Sequence, residues 1–106
     1  METLKEKYGK FMELKFPLNS PKDEVISDLF IQLVDYDAYT AGLIDCVLMG
    51  KSIEWKKLFY DEKLEKDLTD NLQRNDIDGV SRKALESYLN RLYLLKDLIQ
   101  EAKRMS

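Results

Sequence analysis

Residues 20–50, SPKDEVISDLFIQLVDYDAYTAGLIDCVLMG, form the longest stretch with helical periodicity and decide the fold class. Ser20 is a favourable N-cap, Pro21 suits the first helical position, and acidic residues follow in the first turn, so we predict a helix that begins at Pro21. Gly50 is typical of the position just after a helix, which places the last helical residue at Met49. A helix of that length extends for roughly 43 Å.

Two further helices are predicted towards the ends of the chain. The first covers residues 3–15, because Thr3 and Glu6 have the spacing of a capping box and the apolar side chains after them recur at helical period. The fourth extends from Ser81, its expected N-cap, to about residue 104. Its apolar residues cover more than one side of the helix.

The chain that follows Ser52 permits two interpretations. Its apolar spacing changes phase near Tyr60 and Asp61, which fits either a break with Asp61 as a new N-cap or one helix that bends and contacts two neighbours in turn. We expect the single bent helix. The chain has no strand pattern and no internal repeat. We therefore predict one all-α domain over residues 1–106, an antiparallel four-helix bundle with short connectors and a long second helix.

The composition fits a folded domain in a reducing compartment. The 106 residues are 44% hydrophobic and 35% charged, with 4 glycines and 2 prolines, which is typical of helix-rich globular proteins. Cys46 is the single cysteine, so an internal disulfide is excluded. The sequence has no apolar targeting segment and no run of about 20 apolar residues, so we expect a cytoplasmic protein that does not use a membrane.

The lack of histidine excludes many catalytic centres. Ser-His-Asp and Cys-His nucleophiles, His-ligated zinc and haem, and di-iron bundle sites all need that side chain. A Gly-rich phosphate loop is also lacking, and the acids around Gly79 lack the first and last ligands of a calcium loop. We therefore predict a protein that is not an enzyme and has no cofactor.

The alternative is a small all-α enzyme or ligand sensor that uses acidic residues in a bundle cavity with a divalent metal. Paired acids one helical turn apart are a known way to hold magnesium, although interleaved lysines favour a salt-bridged surface instead. The candidate groups are Asp37 with Tyr36 or Lys96, and Glu62, Glu65 and Asp67 as magnesium ligands.

Asp37 falls within the apolar face of the second helix. At about 100° per residue, it lies near the middle of an apolar arc. The residues of this arc are Ile26, Leu29, Phe30, Leu33, Ala41, Ile44, Val47 and Leu48. A carboxyl group on a core-facing surface needs a cation, several hydrogen bonds or its own proton, and Arg91 and Lys96 on the fourth helix are the candidate cations. We favour a buried pair that fixes helix register over an acid that grips a ligand or handles protons.

The opposite face of the second helix is acidic. Residues 17–49 contain one lysine against six acids, a charge of −5 in a chain whose net charge is −3. An acidic surface that carries an aromatic anchor attracts and binds a basic protein, whereas the simpler alternative is an ordinary solvated face. We predict that this face docks a basic partner. The predicted contact residues are Glu24, Asp28, Asp35 and Tyr39.

The nearest functional analogy is with small acidic inhibitors, antitoxins and immunity proteins. A second possible interaction is self-association through the fourth helix, where Leu94 and Leu98 lie outside the main apolar stripe. The bases of that helix are spread along it without interleaved exposed aromatic residues, so we do not expect nucleic-acid binding.

Overall fold

The computed structural model describes residues 2–16 and 22–105, and this part of the chain is all-α, as predicted. Four helices are in contact there: α1 (Leu4–Glu13), α2 (Glu24–Leu48), α3 (Glu62–Leu72) and α4 (Gly79–Arg104). Because α4 contacts each of the other three helices, its side chains form the centre of the core. Within the same residues, no helix is both long enough and apolar enough to cross a membrane.

α1 begins at the predicted capping pattern. The Thr3 hydroxyl accepts a hydrogen bond from the backbone N–H of Glu6 at 3.2 Å and donates to Glu6 Oε1 at 3.1 Å. The helix ends at Glu13, two residues before the predicted end. Leu4 and Phe11 are buried, so one face of α1 packs on the rest of the molecule.

α2 begins three residues later than predicted. Asp23 is its N-cap, because Oδ1 accepts from the backbone N–H groups of Val25 at 3.0 Å and Ile26 at 3.2 Å. Ser20 and Pro21, expected as the cap and the first helical residue, lie outside the described residues. One aspartate therefore satisfies two of the N–H groups that a helix start leaves without intrahelical partners.

The C-terminal end of α2 has the predicted glycine stop. Gly50 has a φ of 75°, in the left-handed region that favours glycine. Its N–H donates to the Val47 carbonyl at 3.1 Å, and the N–H of Lys51 donates to the Cys46 carbonyl at 2.9 Å. These two bonds form a Schellman motif, which ends the helix at Leu48.

The prediction of a single bent third helix is wrong. The chain forms a short 3-10 helix at Trp55–Lys57, and α3 then begins at Glu62 with Asp61 as its N-cap, whose Oδ1 accepts from the Leu64 N–H at 3.0 Å. A side chain of α2 explains the break. The Tyr36 hydroxyl donates to the Phe59 carbonyl and accepts from the Asp61 N–H, so it satisfies backbone groups that a continuous helix would pair internally.

The predicted cap of α4 is also wrong. Asp78 is the N-cap, and its Oδ1 accepts from the Ser81 N–H at 2.7 Å. Ser81 itself is buried in the first turn. Buried leucines, together with Tyr88 and Ile99, then extend along α4 and form the main part of the core with the inner face of α2.

Candidate functional site

The two faces of α2 hold different kinds of carboxyl group, and Asp37 belongs to the inner face. Only 8% of Asp37 is exposed, and the structure places it against Arg91 of α4. Arg91 Nε lies 2.7 Å from Asp37 Oδ2, and Nη2 lies 3.4 Å from Oδ1. This two-point geometry is the planar match that a guanidinium makes with a carboxylate.

Aromatic rings enclose the Arg91 guanidinium. Its central carbon, Cζ, lies 3.8 Å from the centroid of the Phe11 ring and 5.1 Å from that of Phe16. Through these contacts the pair links side chains of α2, α4 and α1. Arg91 Nη1 is buried and has no hydrogen-bond partner among residues 2–16 and 22–105.

Lys96, the other expected partner of Asp37, lies elsewhere. Its amine is 4.8 Å from the centroid of the Tyr60 ring, a cation–π contact at the connector between α2 and α3. The structure therefore does not bring Lys96 and Asp37 together.

The outer face of α2 carries all four predicted contact residues. Glu24, Asp28, Asp35 and Tyr39 are exposed there. The three acidic side chains have neither an ion pair nor a hydrogen bond with any residue in the described ranges. Asp23 and Asp37 of the same region both pair with arginine, Asp23 with Arg74 at 2.7 Å. The three acids of the outer face are therefore not committed to a pair within this part of the chain.

Asp35 and Tyr39 also line a shallow groove, which we call the aromatic–acidic groove. Its volume is about 470 Å³. One wall comes from α2 and the other from the segment between the 3-10 helix and α3, so the break in the predicted third helix creates the groove. The lining residues are Gln32, Asp35, Tyr36, Tyr39, Phe59 and Asp61.

Three aromatic rings meet at this groove. The Phe59 ring centroid lies 5.9 Å from that of Tyr36 and 6.3 Å from that of Tyr39, with interplanar angles of 49° and 53°. Tyr39 is 43% exposed and Phe59 44%, which leaves much of both rings open to a ligand.

Hydrogen bonds hold these walls in place. The Tyr36 hydroxyl links the two sides of the groove through the Phe59 carbonyl and the Asp61 N–H, the latter at 3.1 Å. Burial raises the pKa of the Tyr36 hydroxyl above its ordinary value, which further favours the protonated form that donates to the Phe59 carbonyl. The Tyr39 hydroxyl donates to the Lys57 carbonyl at 3.0 Å.

Glu24 and Asp28 lie on the same face but do not line the groove. They are four positions apart, and Asp28 precedes Asp35 by two helical turns, or about 10 Å along the axis. The sequence did not reveal Tyr36, Phe59 and Asp61 as groove residues, because a continuous third helix would not form this wall. The suitability of Asp61 as a helix cap was the one signal that pointed to it.

The acids proposed for a magnesium site do not converge. Across the described residues, no group of three or more Asp, Glu, Cys or His side chains is placed to hold a metal ion. Asp67 instead pairs with Lys63 at 3.6 Å. Glu62 is exposed on the first turn of α3, and Glu65 lies near the hydroxyls of Tyr60 and Tyr93, whose pKa values burial and this acid raise.

The expected self-association surface on α4 is smaller than predicted. Leu98 is only 2% exposed and belongs to the core, so it cannot face a second copy. Leu94 is 41% exposed and lies beside Leu14 at the edge of α1.

Comparisons with protein-family models, with curated protein sequences and with solved structures found no match to this chain. The function is therefore inferred from the chemistry of the residues themselves.

Proposed function

We propose that the protein binds a basic partner protein through the outer face of α2 and performs no catalytic step. One observation carries this proposal: the exposed acids Glu24, Asp28 and Asp35 have no partner within the described residues, and the last of them borders a groove of exposed aromatic rings. Acids that stabilise the fold of this chain are paired or cap helices, as Asp23, which does both, and Asp37 show.

Charge and ring chemistry have separate roles in such an interface. The exposed acids Glu24, Asp28 and Asp35 attract a basic surface and raise the rate of encounter. The exposed rings of Tyr39 and Phe59 supply apolar area at the point of contact, and tyrosine is among the residues enriched in binding hot spots. The closest functional analogy is a cytoplasmic acidic inhibitor, antitoxin or immunity protein.

We also infer that the helices form an antiparallel bundle, which makes α2 a rigid platform. The connector between α3 and α4 (residues 73–78) is short, whereas the one between α2 and α3 (residues 49–61) is longer and contains the 3-10 helix. Side-chain pairs between α1 and α4 support the antiparallel arrangement. Lys7 pairs with Asp97 at 3.3 Å and with Glu101 at 3.1 Å, whereas Phe11, one turn later in α1, stacks on Arg91, earlier in α4.

Capture from host lysate at low salt tests the proposal. The baits are the wild type, an outer-face variant (Asp28→Lys with Asp35→Lys) and a charge-matched control (Glu13→Lys with Glu86→Lys). The two acids of the control are exposed, one on α1 and one on α4. Their substitution by lysine changes the net charge by the same amount as the outer-face variant does. Captured proteins are identified by mass spectrometry and then purified, and their direct binding is measured by calorimetry.

We expect a basic protein that binds the wild type and the control directly and loses at least about tenfold in affinity for the outer-face variant. Its affinity falls as salt is added, because exposed charges are screened. Equal binding of all three baits would overturn the proposal. A dimer in light scattering that the Leu94→Lys substitution dissociates would instead favour self-association through α4.

A further inference from the structure

We infer that the aromatic–acidic groove receives an arginine side chain of the partner. This inference rests on the proposed function and names the chemistry of the contact. A planar cation is bound well by an aromatic face together with carboxylate oxygens in a fixed arrangement, and side chains of both kinds line the groove.

The aromatic surface forms a corner rather than a flat wall. Phe59 and Tyr39 meet at 53° with their centroids 6.3 Å apart, and both rings are partly open to solvent. A guanidinium that lies on one ring therefore meets the second ring at its flank. Ring faces carry the negative end of the aromatic quadrupole and attract a cation.

Two carboxyl groups border this corner with free acceptor oxygens. Neither oxygen of Asp35 has a hydrogen-bond partner in residues 2–16 and 22–105. Asp61 Oδ1 accepts from the Leu64 N–H at 3.0 Å, and Oδ2 has no partner in the same ranges. Lys57, whose carbonyl accepts the hydrogen bond from Tyr39, directs its own amine to Glu54 at 3.7 Å.

Arginine fits this combination better than lysine. A guanidinium stacks on a ring through its plane while its N–H groups donate in that plane to carboxylates, whereas an ammonium is a compact, strongly hydrated charge that cannot do both. The walls are also preorganised, because the buried Tyr36 hydroxyl joins Phe59 to Asp61. The site therefore loses little conformational entropy when a ligand binds.

The first test is an NMR titration of the full chain with N-acetyl-arginine amide, with N-acetyl-lysine amide as the comparison at equal ionic strength. We expect the arginine probe to shift the ring signals of Tyr39 and Phe59 and the side chain of Asp35, with a dissociation constant in the millimolar range. The lysine probe should bind about fivefold more weakly. Equal shifts with both probes, or none in the groove, would overturn the inference.

Single variants locate the contact. Asp35→Asn and Tyr39→Leu should each lower the affinity for the arginine probe by about fivefold. Tyr39→Phe keeps the ring, and its affinity for the probe should stay within about twofold of that of the wild type. Asp28→Asn is the matched control, because it removes the same charge from the same face outside the groove. If Asp28→Asn lowers the affinity for the arginine probe as much as Asp35→Asn does, the cation is attracted by the whole face and the groove has no specific role.

The two proposals fail in different ways. If partner capture depends on the outer face while the arginine probe leaves the groove unchanged, the arginine inference is wrong and the proposed function stands. If the probe binds as expected while the outer-face variant retains every partner, the groove recognises arginine but the proposed partner surface is wrong.

Discussion

Asp35 and Asp37 differ by two positions in α2 and lie about 200° apart around the helix axis, in opposite environments. Asp37 is buried against Arg91 with two donors on its oxygens, whereas Asp35 is exposed without a partner in the described residues. The same carboxyl group therefore serves the fold on one face and is free for a ligand on the other. What differs is whether the chain itself supplies the cation.

The comparison implies a large difference in what each side chain contributes to stability. Removal of one member from a buried pair leaves a desolvated charge inside the protein, which is strongly destabilising. Removal of an exposed, unpaired charge changes little, because water solvates it equally well in the folded and unfolded states. Substitutions on the two faces should thus separate stability from binding.

The largest effect is expected for Asp37→Ala. It leaves the Arg91 guanidinium between Phe11 and Phe16 without its counterion, so we expect a loss of about 3–5 kcal/mol in the free energy of unfolding. Urea denaturation followed by circular dichroism measures the change. A loss below about 1 kcal/mol would mean that solvent reaches the guanidinium, and the contrast between the faces would then be much weaker.

A double variant shows whether the charge or the pairing matters. Asp37→Leu with Arg91→Met replaces the pair by apolar side chains, and it should be at least about 2 kcal/mol more stable than Asp37→Ala because no charge remains unpaired. A double variant as unstable as the single one would show that packing at this position, and not the uncompensated charge, explains the loss.

Tyr36→Phe should have the next largest effect. Tyr36 lies between the two aspartates in sequence, and its hydroxyl bonds to two backbone groups of the connector, which become unsatisfied without it. We expect a loss of about 1–3 kcal/mol in the free energy of unfolding. Tyr39→Phe, which removes one exposed hydroxyl, is the matched control and should cost under about 0.5 kcal/mol. Equal losses in the free energy of unfolding of the two variants would show that the Tyr36 hydroxyl does not link the core to the groove.

The inner face of α2 was largely predictable from the sequence, whereas the groove was not. Helical periodicity places Asp37 among apolar residues. Because a buried carboxylate needs a cation, its partner is expected to be one of a few basic residues. The choice of Arg91 over Lys96 depends on the rotation of α4, which local pattern does not determine. The groove depends on a tertiary hydrogen bond from Tyr36 to a distant segment, and local sequence carries no direct signal for such a contact.

A moderate, pH-dependent effect is expected at the start of α2. The hydrogen bond from Arg74, followed by that from the Ile26 N–H, holds the pKa of Asp23 below its ordinary value of 3.8. A carboxyl group whose folded-state pKa is lowered stabilises the fold above its ordinary pKa, and this contribution is lost as pH falls through the lowered value. Stability should therefore fall as the pH is reduced below about 4.

Asp23→Asn separates this contribution from helix capping. Asparagine caps a helix about as well as aspartate but does not titrate, so the variant should be less stable than the wild type at neutral pH and should lose less stability at low pH. Urea midpoints at several pH values test this expectation. Parallel pH profiles for the two proteins would show that the pairing of Asp23 with Arg74 does not contribute to acid sensitivity.

The smallest effect on stability is expected for the outer-face variant, Asp28→Lys with Asp35→Lys. Both side chains are exposed and unpaired in the described chain, so the free energy of unfolding should change by no more than about 0.5 kcal/mol. The same variant should lose the partner, which makes it the reverse of Asp37→Ala. A loss of stability above about 1 kcal/mol would show that the outer acids support the fold as Asp37 does, and a loss of binding could then no longer be assigned to the surface alone.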